Sequence, residues 1–178
     1  MAQPFASVVE SEAIEGLVRE HARFVFQVAY SVLRHSHDAE DVVQETFLRV
    51  VRHKSELAEV RDPRAWLARI AWRLAIDRRR AAPSTADDPE PLLAQLQARG
   101  LSAEQIVARR EMRELMEALV AALPEELREP LQLSTVEEMP SAEIAAVLGV
   151  PEPTVRTRLF RARQMLKEKL AALMEVKS

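Results

Sequence analysis

The chain has 178 residues, room for one ordinary domain or two small ones, and 48% of them are hydrophobic, so a core can be buried. Aromatics make up 4%, there are 3 glycines and no cysteine, which argues for an all-α protein and excludes disulfides, thiolate metal sites and a cysteine nucleophile. The formal net charge of −3 would not favour nucleic acid if it were evenly spread, but basic residues gather in two islands.

No apolar run approaches the about 18–20 residues of a membrane span. Residues 1–10 hold no basic segment followed by an apolar one, so no signal peptide is expected, and residues 1–11 are expected to be disordered. From there Ile14, Leu17, Val18, Phe24, Val25, Val28, Val32 and Leu33 recur by threes and fours, which predicts a helix over residues 12–34. Residues 35–38 break it, with Asp38 as a candidate cap for a second helix reaching about His53. Val42, Val43, Phe47, Val50 and Val51 are expected inward on that helix, and Asp41, Gln44 and Glu45 lie along its polar face. Three hydrogen-bonding residues on a rigid helix suit docking onto a basic protein helix, although alone they read as a solvated face. After a polar stretch, Pro63 fits the first turn of a third helix capped by Asp62. Trp66, Leu67, Ile70, Ala71, Leu74 and Ile76 are its apolar set. Its end, Arg78-Arg79-Arg80, belongs to the first basic island, with Arg61, Arg64, Arg69 and Arg73.

Composition changes over residues 81–103, where Pro83, Pro89, Pro91 and Gly100 stand among Asp87, Asp88 and Glu90. This reads as a flexible linker. Helical periodicity resumes with Met112, Leu115, Met116, Leu119 and Val120 and stops before Pro124. A further helix is expected from about Glu125 to Glu138, kinked or started by Pro130. The expected architecture is all-α, two small helical domains joined by the linker.

The second domain ends in the strongest local signal. Ser141 is a candidate cap, Ile144, Ala145 and Leu148 give a short amphipathic helix, and Gly149 can take the left-handed conformation that ends it. A basic helix follows, so the segment reads as helix-turn-helix. At about 100° per residue, Val155, Leu159, Ala162, Leu166, Leu170 and Leu173 point to one side. Thr157, Phe160, Arg161 and Gln164 point to the other, with Arg156 beside them. Phe160 is then a ring on a basic surface, fit for a thymine methyl or a sugar edge. Arg156 and Arg161 can reach guanine edges, and Arg158 and Arg163 suit phosphates.

Taken in order, residues 38–49, Trp66-Leu67 with Ile70-Ala71, residues 77–80, Leu123-Pro124 and residues 141–163 resemble the extracytoplasmic-function sigma factors of bacterial RNA polymerase. The resemblance covers roughly residues 12–173. It implies a region 2-like domain over residues 12–80 and a region 4-like helix-turn-helix domain over residues 104–178. Asp41, Gln44 and Glu45 would dock on the clamp helices of the polymerase's largest subunit. Lys54, Arg61, Arg69, Arg73, Arg78, Arg79 and Arg80 would hold the −10 element, and Thr154, Arg156, Thr157, Arg158, Phe160, Arg161 and Arg163 the −35 element near the polymerase flap. The linker would thread the RNA exit path, with Asp87, Asp88 and Glu90 mimicking nucleic acid. An anti-sigma protein is the implied regulator, the implied location is cytoplasmic, and no cofactor, metal or membrane insertion is implied. One departure stands in the third helix, where Arg73 takes the place of the family's usual Asn and Trp72 sits beside it. Trp72 can stack on an unpaired base or lie in the core.

Three other classes use the same residues differently. An enzyme finds little support: His35 and His37 lack a third ligand, and there is neither a nucleophile elbow nor a Gly-rich phosphate loop. An ordinary helix-turn-helix regulator would need a dimer interface or ligand pocket in the N-terminal half. A protein-interaction module would tolerate loss of Arg156 and Arg161.

Overall fold

The computed structural model describes residues 4–81, 102–136 and 139–176, all of them in helices or the turns between helices. The linker expected at residues 81–103 lies outside the described residues except at its two ends.

Helix α1 spans Pro4–Leu33, so of residues 1–11, expected to be disordered, 4–11 are helical. It ends at Arg34, whose φ of 56° is left-handed and whose amide donates to the Tyr30 carbonyl at 3.0 Å. Helix α2 (Ser36–Arg52) begins earlier than expected. Its cap is His35, in extended conformation, whose Nδ1 accepts the Asp38 amide at 3.3 Å. Asp38 therefore stands inside the first turn, where a carboxylate favours the helix dipole rather than capping it. A 3₁₀ turn over Lys54–Glu59 leads to α3 (Pro63–Ala81). There the expected cap is in place, with Asp62 Oδ1 accepting the Ala65 amide at 3.0 Å.

Helix α4 (Ala103–Ala121) opens with a capping box in which Ser102 and Gln105 each accept the other's backbone amide. Helix α5 (Glu125–Leu133) follows Pro124 and carries Pro130 buried within it. It stops at Leu133, short of the expected Glu138, where the amides of Thr135 and Val136 turn back to the carbonyls of Gln132 and Leu133, three residues earlier, in place of helical bonds. Helix α6 (Ser141–Leu148) takes Pro140 as its cap, with Ser141 as the first helical residue rather than the cap. Gly149 ends it at φ 68°, and the amides of Gly149 and Val150 both bond the Ala145 carbonyl. Helix α7 spans Glu152–Val176.

Phe24, Val25, Val28, Val42, Val50, Leu67, Ala71 and Trp72 form the centre of α1–α3. The same apolar cluster continues without a break into Leu133, Val136, Met139, Ile144, Val147, Val155 and Leu159, because α6 lies against α3. A small satellite joins Leu123, Leu127 and Ala162. Three residues expected inward are not. Val51 is 48% exposed, since the helix places it beside exposed Gln44 and Leu48, away from the side of α2 that buries Val42, Thr46 and Val50. Leu173 is 42% exposed, as cover along α7 fades from buried Ala162 through half-buried Leu166. Met112, on the expected apolar face of α4, is also exposed.

Candidate nucleic-acid interface

The helix-turn-helix of α6 and α7 builds its outward face as the spacing demands. Val155, Leu159 and Ala162 are buried, which holds α7 in a fixed rotation. Arg156, Thr157, Phe160, Arg161, Arg163 and Gln164 are all exposed as a result. Phe160 is 69% exposed, a large ring covering nothing. Thr154 and Arg158 are half-buried on the flank. Arg156 is drawn back to Glu152 at 2.6 Å, and the Thr157 hydroxyl donates to the Pro153 carbonyl at 3.0 Å. Both contacts are local and exposed, so they hold these side chains only weakly.

The basic set around α3 is divided. Lys54, Arg61 and Arg73 are exposed. Arg78 turns inward along its own domain, its guanidinium 2.7 Å from Asp38 and 2.6 Å from Asp41. Burial works against its charge, but these two carboxylates outweigh it and raise its pKa. Arg69 donates to the Ala146 carbonyl of α6, Arg79 to Gln132 at 3.4 Å and Arg80 to Glu125 at 3.0 Å. Arg80 and Arg158, one from each expected DNA-binding set, line one shallow hollow with Glu125, Glu126 and Glu129 of α5. Acidic side chains thus stand where both sets would meet phosphate. Glu129 is pushed above its ordinary carboxylate range, first by burial and then by Glu125.

Asp41 and Gln44 are exposed and Glu45 half-buried, on one face of α2. Glu45 holds Arg49 at 3.1 Å and Asp41 holds Arg78. Leu48 and Val51 continue this face as exposed apolar residues, an extension that sequence reasoning missed. The step from 44 and 45 to 48 was the available signal, since three- and four-residue steps share a face. Trp72 is 5% exposed, so it packs in the core instead of presenting a ring to a base. Trp66, a core residue by its spacing, is half-buried and packed against that core.

The contact between the halves was not legible either. Arg64 stacks its guanidinium 3.8 Å from the Phe24 ring centroid and donates to Glu143 of α6 at 2.9 Å. The Glu143 side chain is only 10% exposed. Burial pushes its carboxyl up, and the Arg64 charge only partly offsets this. His35 and His37 lie with ring centroids 6.0 Å apart, and no group of three or more potential metal ligands forms among the described residues. No helix among them is long and apolar enough to cross a membrane.

Sigma-70 region 2 matches residues 17–84, and sigma-70 region 4 matches residues 113–166. The chain is 37% identical over 168 residues to the ECF RNA polymerase sigma factor SigE of Mycolicibacterium smegmatis, covering 87% of this chain and 60% of that protein. It is 30% identical to the ECF RNA polymerase sigma factor SigW of Bacillus subtilis, covering 92% of each. Among solved structures it resembles CnrH in complex with the cytosolic domain of CnrY, at TM-score 0.63 and 28% identity, over 91% of this chain and 90% of that one. With two sigma-70 regions in order on an all-helical frame and relatives aligned along nearly its whole length, the chain belongs to the extracytoplasmic-function sigma factors, the subunits that direct RNA polymerase to promoters.

Proposed function

We propose that residues 12–80 dock on core RNA polymerase and open the −10 element, and that residues 104–178 read the −35 element, the two joined by the linker at residues 81–103. The observation that carries this reading is the outward face of α7, where Phe160 is exposed among Arg156, Arg161 and Arg163 while Val155, Leu159 and Ala162 anchor the helix. Arg156 and Arg161 address base edges, Phe160 a thymine methyl, and Thr154, Thr157, Arg158 and Arg163 the backbone. Asp41, Gln44 and Glu45, extended by Leu48 and Val51, form the polymerase-docking face. Arg61 and Arg73 are placed to meet −10 DNA as they stand, and exposed Lys54 would join them. Arg69, Arg79 and Arg80 are engaged by the C-terminal half and reach DNA only after the two halves part. This conformation is therefore a closed, inactive form. A protein regulator that binds the closed form would hold it there, as CnrH is found with the cytosolic domain of CnrY bound. The site of action is the cytoplasm.

The test is to mix the purified chain with core polymerase free of sigma factors. Comigration on a sizing column, discrete start sites on genomic fragments, and loss of both with Asp41→Arg and Gln44→Ala are expected. Tight binding of duplex DNA by the chain alone, with no polymerase association, would replace this reading with that of an ordinary regulator.

A further inference from the structure

Between the two halves lies a cavity of about 530 Å³, walled by the end of α1, by Arg79 of α3, and by α4 and α5. Four arginines, Arg34, Arg79, Arg113 and Arg128, face it against a single carboxylate, Glu117. Its remaining wall is largely apolar, with Val32, Leu33, Met116, Val120 and Leu131.

The arginines are held there at some cost. Arg34 sits at φ 56°, a left-handed conformation that a non-glycine residue adopts only when its surroundings impose it. From there its guanidinium lies 5.1 Å over the Tyr30 ring and 2.9 Å from Glu117. The Nε groups of Arg34 and Arg128 are buried and find no acceptor among the described residues. A buried donor without an acceptor is unfavourable. Arg79 has a lowered pKa, first through burial and then through repulsion from Arg128. Glu125 and Glu129 act the other way on Arg79 without reversing it.

We propose that this cavity is a binding site for a small amphipathic anion, an organic phosphate or carboxylate with an apolar tail, whose head meets the arginines and whose tail lies on the apolar wall. The volume falls in the range of about 300–1,000 Å³ usual for small-molecule sites. Arginine forks match phosphate and carboxylate oxygens. The lining comes from both halves, so a bound anion strengthens the closed form and withholds the chain from polymerase. That last consequence rests on the sigma-factor reading; the binding itself does not.

The experiment titrates the full chain, without polymerase or DNA, with octyl phosphate, octanoate, inorganic phosphate and octanol, by calorimetry and thermal melting. Saturable binding of octyl phosphate or octanoate with a rise in Tm is expected, and inorganic phosphate and octanol should each bind at least tenfold more weakly. Arg34→Gln and Arg128→Gln should each lower the affinity about tenfold, the loss expected for one charge-assisted contact, with Arg128→Lys between them and the parent chain. No saturable binding at millimolar ligand would overturn the proposal, as would binding that both glutamine variants leave unchanged. Binding of an acidic amphipathic helical peptide, with none of the octyl compounds, would overturn it in favour of a protein occupant. A chain that binds octyl phosphate as described but never joins core polymerase in its absence keeps the site and loses the sigma reading.

Discussion

Arg161 and Phe160 separate recognition from stability at the level of single side chains. Both are exposed on α7, so replacing either with alanine should move stability by no more than about 0.5 kcal/mol. If Arg161 reads a base, Arg161→Ala loses about 1–3 kcal/mol of discrimination at one promoter position. Equal weakening on every sequence, measured by competition between promoter variants, would make it a phosphate contact. Trp72 makes the opposite case. Buried in α3, it should cost about 3–5 kcal/mol in chemical denaturation as Trp72→Ala. A stable Trp72→Ala protein that fails only in promoter opening would restore the stacking role. Periodicity could not decide this residue, because Trp66 and Trp72 both fit an apolar face of a helix packed on more than one side.

Helix ends carry the next set of consequences. Gly149 closes α6 at φ 68°, and a Cβ added there would meet nothing within 4 Å. Strain rather than crowding therefore sets the effect of Gly149→Ala, about 1–2 kcal/mol in thermal melting, with Gly149→Asn milder. This turn was legible because glycine is the usual residue for that conformation. The two misplaced caps show where local reading fails. Asp38 and Ser141 are good capping residues by type, yet α2 starts at Ser36 and α6 is capped by Pro140. Several residues in each segment could start the helix, and packing chose which turn comes first.

For the whole molecule, the question is what holds the halves together. Exposed ion pairs such as Arg80–Glu125 contribute about 0–1 kcal/mol each. The continuous apolar cluster between α3 and α6 contributes more, so the ion pairs tune closure rather than create it. Glu143 and Glu129 both have raised pKa values in the fold. Their neutral forms are thus favoured in the closed state relative to the unfolded chain. That contribution is fully present below the ordinary glutamate value of 4.5 and is lost as pH rises through the raised one. Melting temperature followed across this range should fall on that account, and Glu143→Gln should flatten the slope. Arg64→Ala should enlarge the radius of gyration in solution scattering, whereas an unchanged radius would show that the apolar contact closes the molecule unaided.

The sequence by itself determined the helices, their order and the outward face of α7, because each follows from the periodicity of neighbouring residues. Its family blocks also carried the sigma-factor assignment. Only the tertiary structure decided that Arg69, Arg79 and Arg80 turn toward the C-terminal half, that Asp41 holds Arg78, and that four arginines surround one cavity. Those partners stand far apart in the chain: Arg64 and Glu143 are separated by 79 positions, and no local pattern links them. A charge reads the same in sequence whether it faces water, DNA or a carboxylate of its own chain, and the packing of α6 on α3 makes that choice.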